Sequence, residues 1–191
     1  MRNPGRPILA VCALLLAGGF LAGCTSGKPQ SLPTETPKST PTPSPVFTSD
    51  AQALAAATEV YRRFLAASDV IGHEGGSDPD RVRPYVNDVV LAAEEKQAQK
   101  LKDAHARSYG DTKVSKSQLQ SVTQQGKSVT VSIYACEDLS DVDVRDDSGN
   151  SLIDPSRADF VAYEVRLEGE SANGLVVAAN KYWSGGRVCD S

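Results

Sequence analysis

The chain reads as an α+β protein whose N-terminal helices pack on one face of a curved antiparallel sheet. Two observations carry that reading. From Ser49 to about Gly110 apolar residues recur at helical spacing. Beyond Gly110 the repeat switches to two, in several short runs separated by turn residues. Helices first and strands after make one layer of helices on a meandering antiparallel sheet. The stretch from Ser49 to Ser191 has the length of one domain with one core.

Each element has a local reason. Ser49 with Gln52 three residues on is an N-cap and capping box, and Leu54, Ala57, Tyr61, Phe64 and Leu65 then fall on one helical face, which predicts an amphipathic helix ending near Ser68. Gly72, Gly75 and Gly76 break the chain. Asp78-Pro79 starts a short helix that Pro84 ends. A longer helix is predicted from about Tyr85 to Tyr109, with Val86, Val90, Ala93, Leu101 and Ala104 as a thin apolar stripe and Gly110 as its C-terminal cap. Its run Glu94, Glu95, Lys96, Lys100, Lys102 and Asp103 reads as a solvated face. A weaker strand is expected at about Lys113 to Val122, turning at Gln125-Gly126. Val129 to Ala135, Val161 to Leu167 and Leu175 to Trp183 are expected strands, with loops at Gly169 to Gly174 and Ser184 to Gly186 and a last short strand holding Cys189.

Ahead of the domain, Arg2 and Arg6 precede an apolar run from Ile8 to Leu21 and two small residues before Cys24. The order is that of a signal peptide. The run is broken by Gly18 and Gly19 and is shorter than the roughly 20 apolar residues that span a bilayer. Leu21-Ala22-Gly23-Cys24 resembles the lipobox of bacterial lipoproteins, at all four positions. That resemblance implies cleavage before Cys24, diacylglycerol on its sulfur and acylation of the freed amine. The chain is then expected at the cell membrane, lipid-anchored and facing the extracytoplasmic side. Two or more acyl chains anchor stably where one is marginal.

From Thr25 to Thr48, 16 of 24 residues are Ser, Thr or Pro. So little apolar surface cannot offset the entropy of ordering the segment. Residues 24–48 are accordingly read as a lipidated Cys followed by a tether with polyproline II character, able to reach about 75 Å at ~3.1 Å per residue. The run Thr40-Pro41-Thr42-Pro43-Ser44-Pro45 resembles O-glycosylated exported linkers of actinobacteria. Removal of residues 1–23 deletes two arginines and no acid, moving the formal charge from -4 to -6. An acidic chain without a basic cluster argues against nucleic acid as a partner.

Within the domain, Tyr61-Arg62-Arg63-Phe64-Leu65, Ala135-Cys136-Glu137-Asp138-Leu139-Ser140 and Gly185-Gly186-Arg187-Val188-Cys189 carry a second resemblance. The pattern is similar to the nuclear-transport-factor-2-like (cystatin-like) cone fold, and to exported actinobacterial lipoproteins built on it. The resemblance implies a curved sheet around a long helix with a cone-shaped cavity, used by different members for catalysis, ligand binding or dimerisation. Fold alone fixes no activity.

Polyketide cyclases and ketosteroid isomerases share that cone and need a carboxylate or His base in an apolar pocket opposite a Tyr or protonated carboxyl. Tyr61 is placed where a cavity-lining hydroxyl could sit, and equally where a core aromatic bonds a partner at the cavity rim. No matching base is identifiable, since His73 falls in a Gly-rich loop and His105 on the polar side of a helix. The acidic run Asp138, Asp141, Asp143, Asp146 and Asp147 fails the calcium-loop pattern, with Arg145 at a ligand position and Leu152 in place of the closing Glu. It reads as an acidic turn region, and no metal or cofactor is expected.

Of four cysteines, Cys12 leaves with the signal and Cys24 takes the lipid, so Cys136 and Cys189 are expected to pair in an oxidising compartment. A reactive or intermolecular pair is the other reading of these two. Two function classes follow. One is a membrane-tethered binding or interaction module whose cone receives a small apolar ligand or an envelope protein. The other is a small-molecule isomerase, cyclase or hydratase. Cys24→Ala is expected to leave the precursor uncleaved and free of label from a fatty-acid analogue, and label retained in that variant would place the lipid elsewhere.

Overall fold

The computed structural model describes residues 44–185 and 187–190. The lipobox with Cys24, the signal segment 1–23 and all but the end of the 24–48 linker lie outside the described residues. Helix α1 spans Asp50–His73, followed by a 3-10 segment at Pro79–Tyr85 and helix α2 at Asp88–Asp103. Strands β1 (Ala106–Tyr109) and β4 (Asp143–Asp146) form a two-stranded antiparallel ribbon. Strands β2 (Lys113–Gln125), β3 (Ser128–Asp138), β5 (Phe160–Gly169) and β6 (Val176–Tyr182) form an antiparallel sheet in the order β2-β3-β5-β6. The chain is α+β, with its helices on one face of a curved antiparallel sheet. Register shifts at Val114/Lys116, Leu119/Ser121 and Arg166/Leu167 mark the irregularities that bend it.

Helix α1 begins as its cap signals require: Ser49 accepts from the Gln52 backbone N–H, and the Gln52 side chain accepts from Thr48. It continues to His73 rather than Ser68, because Ile71 and Gly72 are still buried and Gly76 supplies the turn away. Gly76 has φ +84, and a Cβ there would collide with the Ala98 carbonyl of α2. Ala53, Ala57, Tyr61, Phe64 and Leu65 meet Val129, Val131, Ile133, Ala135, Val165 and Leu167 of the sheet in one core.

The second helix departs from the sequence reading. It starts at Asp88, where Asn87 accepts from the Val90 backbone N–H, and it stops at Asp103. Residues Ala106–Tyr109, expected as its last turns, are strand β1 paired with β4. His105 takes a left-handed φ of 47, an uncommon stop for a residue with a Cβ and hence invisible to a search for glycine. The buried stripe is Val90, Leu91 and Ala98, while Ala93 and Ala104 are exposed. Glu94 belongs to that stripe and not to the solvated face.

Val46 and Phe47, which composition assigns to the linker, pack on the core; Phe47 is 5% exposed. The Gln124 side chain accepts from the Phe47 N–H at 2.8 Å and donates to its carbonyl at 3.0 Å. That amide does for Phe47 what a neighbouring strand would do.

The sheet's other face carries a second, smaller cluster. Cys136, Ala162 and Val188 are buried there, with Tyr134 stacked on Trp183 at 4.8 Å between ring centroids. Cys136 and Cys189 form a disulfide with Cα atoms 5.1 Å apart. Cys189 lies in a turn and not in a strand, so the bond ties the C-terminal tail across the outer face of β3. Lys116 adds a bond from its ammonium to the Asp190 carbonyl. The bond closes a loop with a sequence separation of 53, and chain entropy for that length is worth about 4 kcal/mol.

Phe47→Ala is expected to lower stability by about 3 kcal/mol, as for other buried aromatics. A urea midpoint indistinguishable from that of the parent would mean that Phe47 does not pack in solution.

Candidate functional site

The inner face of the sheet changes character toward one end. Valines and Ile133 fill it along most of β3, but the same alternation brings Glu137 onto that face two residues after Ala135. Cross-strand pairing sets Tyr163 of β5 opposite Ala135, and Asn180 of β6 opposite Val165. Helix α1 lays Tyr61, Ser68 and Asp69 over this end, and α2 brings Glu94. Between them is a cavity of about 500 Å³, a size usual for small-molecule sites. Phe64, Leu65, Ile71, Ala98 and Leu101 give it apolar walls; Asp69, Glu94, Glu137, Tyr163 and Asn180 give it a polar end. Exposed Gln97, Lys100 and Leu152 stand on its lining toward solvent.

Glu137 is 5% exposed, and its Oε1 accepts a short hydrogen bond from the Tyr61 hydroxyl. That hydroxyl also lies 3.2 Å from Asn180 Oδ1. Burial pushes the Glu137 carboxyl up to about 7, opposed by the Tyr61 bond and reinforced by the nearby charges of Asp69 and Glu94. Burial, and then the charge of Glu137, push Tyr61 well above its ordinary value, so it stays a hydroxyl donor. Asp69 is raised by burial against the pull of Thr112, whose backbone N–H and hydroxyl it accepts at 2.9 and 3.0 Å. Glu94 is raised by burial as well, and its Oε2 accepts from Ser68 at 2.6 Å. Tyr163 is raised by burial and by Glu137. The polar end is therefore a set of carboxyl groups that burial shifts toward their neutral forms.

Tyr61, the residue placed at the cavity from sequence, is fully buried and is not on the lining itself. It stands one layer behind, and its hydroxyl reaches the cavity through Glu137 and Asn180. Cys136 and Cys189 lie in the cluster on the opposite face of the sheet. His73 bonds the Gly110 carbonyl at 2.7 Å, and His105 is exposed 4.0 Å from Asp147; neither lines the cavity. In the acidic run, Asp138, Asp143 and Asp146 accept bonds from Ser140, Ser151 and Asn150, which hold each below the usual carboxylate range. Those carboxylates are occupied in closing turns. Among the described residues no three His, Cys, Asp or Glu side chains gather in a metal-binding group.

Sequence reasoning passed over Glu137, Asp69 and Glu94. Each nevertheless sits on a legible phase: Glu137 two beyond Ala135, Asp69 four beyond Leu65, and Glu94 three beyond Leu91.

The raised pKa of Glu137 makes stability depend on pH. A carboxyl whose folded pKa lies above its unfolded value binds more protons when folded, so its contribution is present at low pH and is lost as pH rises toward about 7. The loss amounts to about 3 kcal/mol across that window. Asp69 and Glu94, raised in the same direction, add to it. Glu137→Gln is expected to flatten this decline in denaturation midpoints between about pH 5 and about pH 8. A parent protein equally stable at both ends would contradict a buried, uncompensated carboxyl.

No family model matches the sequence, and no curated protein matches it. Among solved structures the chain is similar to the intermembrane space region of the chloroplast protein ARC6, with 14% identity and a TM-score of 0.51 over 69% of this chain and 97% of that one. It is more distantly similar to CagV, a VirB8 homolog of the type IV secretion system of Helicobacter pylori, with 11% identity and a TM-score of 0.37 over 69% of this chain and 99% of that one. The first likeness is one of fold: an α+β domain of this build recurs in a protein of unrelated sequence.

Proposed function

We propose that the chain is a binding module, tethered to the extracytoplasmic side of the cell membrane through lipid on Cys24, whose cavity receives a small ligand with an apolar body. The cavity carries the reading. Its apolar walls would exclude water from a ligand, and a few convergent polar groups at one end would orient it, which is how small-molecule sites are generally built. The placement rests on the lipobox and on the Cys136–Cys189 disulfide, a bond that persists in oxidising compartments. The similar ARC6 structure is likewise that of an intermembrane space region. The nuclear-transport-factor-2-like cone is the family reading that accords with a long helix laid against a bent sheet with a cavity at one end. Residues 24–48 would hold the domain away from the bilayer, leaving the cavity or an outer surface to meet an envelope protein.

A second reading is favoured by one observation, the convergence of Glu137 and Tyr61. A buried carboxyl near neutral pKa is suited to proton transfer, as an isomerase, cyclase or hydratase requires. Tyr61, however, bonds Glu137 itself instead of facing it across the cavity. An oxyanion would have to be met by Tyr163, the other phenol hydroxyl at the polar end.

The test is a small-molecule screen by protein NMR on the mature chain carrying Cys24→Ser, read at the amides of residues 135–138 and 163. Compounds that move those resonances are expected to lose their effect in Leu101→Trp, which fills the mouth from α2. Hits unaffected by that change would bind elsewhere and would remove the cavity from the function. Hydrogen exchange next to the carbonyl of a bound cyclic ketone, abolished by Glu137→Gln, would instead make proton transfer the function.

A further inference from the structure

The polar end of the cavity is lopsided in charge. Three carboxyl groups approach it, Asp69 from α1, Glu94 from α2 and Glu137 from β3. Lys100, the one cationic side chain among the described lining residues, is exposed. Asp69 and Glu94 are committed to Thr112 and Ser68. Glu137 is the one of the three that is buried; Glu94 also has an oxygen without a partner among the described residues, but its side chain is only half-buried. Its Oε1 is held by Tyr61, while its second oxygen has no partner among the described residues and, being neither sealed off nor bonded, opens onto the cavity. The side chain is otherwise buried. A carboxyl oxygen left free at the inner end of an apolar chamber is costly unless something in the chamber compensates it.

We infer that the cavity takes a small organic cation, an amine or amidine whose apolar body lies against Phe64, Ile71 and Leu101 and whose positive end bonds the free oxygen of Glu137. The inference rests on the cavity-binding reading and names its ligand class. Charge selects the class. An apolar carboxylate such as a fatty acid would bring a fourth negative group to three, with no buried cation to meet it. A neutral alcohol could bond Glu137 but would leave the three carboxyl groups uncompensated. A cation supplies the missing counter-charge, and an N⁺–H donor to a carboxylate is among the stronger hydrogen bonds available. Tyr61 keeps its place in this arrangement as the donor that fixes the carboxyl plane, and Tyr163 and Asn180 border the entering group.

Capture of a cation must also change protonation. A positive charge beside Glu137 favours its ionised form and so opposes the effect of burial. At a pH just below 7, where the empty site holds the proton in part, binding should release it to solvent.

The probes are matched amines, alcohols and carboxylates of cyclohexane and adamantane, titrated into the Cys24→Ser mature chain and followed by NMR at the cavity amides. Amines are expected to bind roughly tenfold or more tightly than the matched alcohols, the effect of one charge-assisted hydrogen bond, and the carboxylates not at all. Glu137→Gln, which keeps the shape and an acceptor for Tyr61, should bring the amines down to the level of the matched alcohols. Calorimetry of the parent in two buffers of different ionisation enthalpy should show proton release with the amines only, an outcome that does not depend on the variant folding. Alcohols or carboxylates binding as tightly as amines, an amine preference that survives Glu137→Gln, or amine binding without proton release would each overturn the cation assignment while leaving cavity binding in place. Silence from every member of all three series would overturn the cavity-binding reading with it.

Discussion

The hydrogen bond from Tyr61 to Glu137 joins the long helix to the middle of the sheet at the point where the core stops being apolar. Above it, α1 and the inner face of β3 and β5 meet through aliphatic contacts that have no directional preference. Below it, three carboxyl groups, Tyr163 and an asparagine share a space that water can enter. A tyrosine that buries its ring among Phe64 and the valines while carrying its hydroxyl to a carboxyl can stand at such a border, because both ends of the side chain are satisfied. Without it, the ring's position along the helix axis would be set only by packing, and the Glu137 carboxyl would lose the donor that offsets part of its burial. The cavity's depth, its polarity and the orientation of its free oxygen all follow from where that one bond is made.

The same sheet is asymmetric across its thickness. Its inner face is covered by helices and closes on the cavity; its outer face near β3 is covered by a short tail that has no regular structure of its own. Val188 and the Trp183 ring contribute a small apolar patch, too little to hold a tail of this length against chain entropy. The disulfide is what makes the arrangement persist. Because Cys136 and Glu137 are adjacent in β3 and point to opposite faces, the covalent anchor outside lies directly behind the acidic group inside. Strand β3 is thus fixed from both sides at the residues that form the cavity's floor, which keeps a polar end rigid where the aliphatic core no longer helps.

Much of this was legible in the sequence, and the limits have physical causes. Alternation marks β3 and β5, a run apolar on both sides marks β6, Ser49 marks the start of α1, and the cysteine count leaves Cys136 and Cys189 as partners. Helix α2 was over-extended because its stop uses His105 in a left-handed conformation where glycine would be the usual signal. Strand β1 was hidden by that extension, and its four residues form a ribbon only because β4 is brought to them by a loop distant in sequence. Phe47 sits in a Pro-rich context that reads as tether, yet its burial depends on a single glutamine in β2 that no local pattern announces. The acids of the cavity were passed over for a different reason. A charged residue on a core phase is ordinarily taken as evidence against burial, so Glu94 reads as part of a solvated face and Asp69 and Glu137 draw no attention, although their spacing puts all three on inward phases.

Natural domains seldom place three carboxyl groups around one space without a cation among them, since each burial disfavours the charged form and each neighbour disfavours it further. Where such a group is structural, the free oxygens are consumed by backbone or hydroxyl donors, as both oxygens of Asp69 are by Thr112. Glu137 is not consumed in that way. Ala135 beside it on β3 and Val161 opposite it on β5 are aliphatic, and a leucine or methionine on the same phase would extend the core at no electrostatic cost. The unsatisfied oxygen therefore has no structural account in the contacts around it. It does have one as half of a contact whose other half enters from the cavity, and a positively charged group completes that contact while relieving the mutual repulsion of all three acids at once.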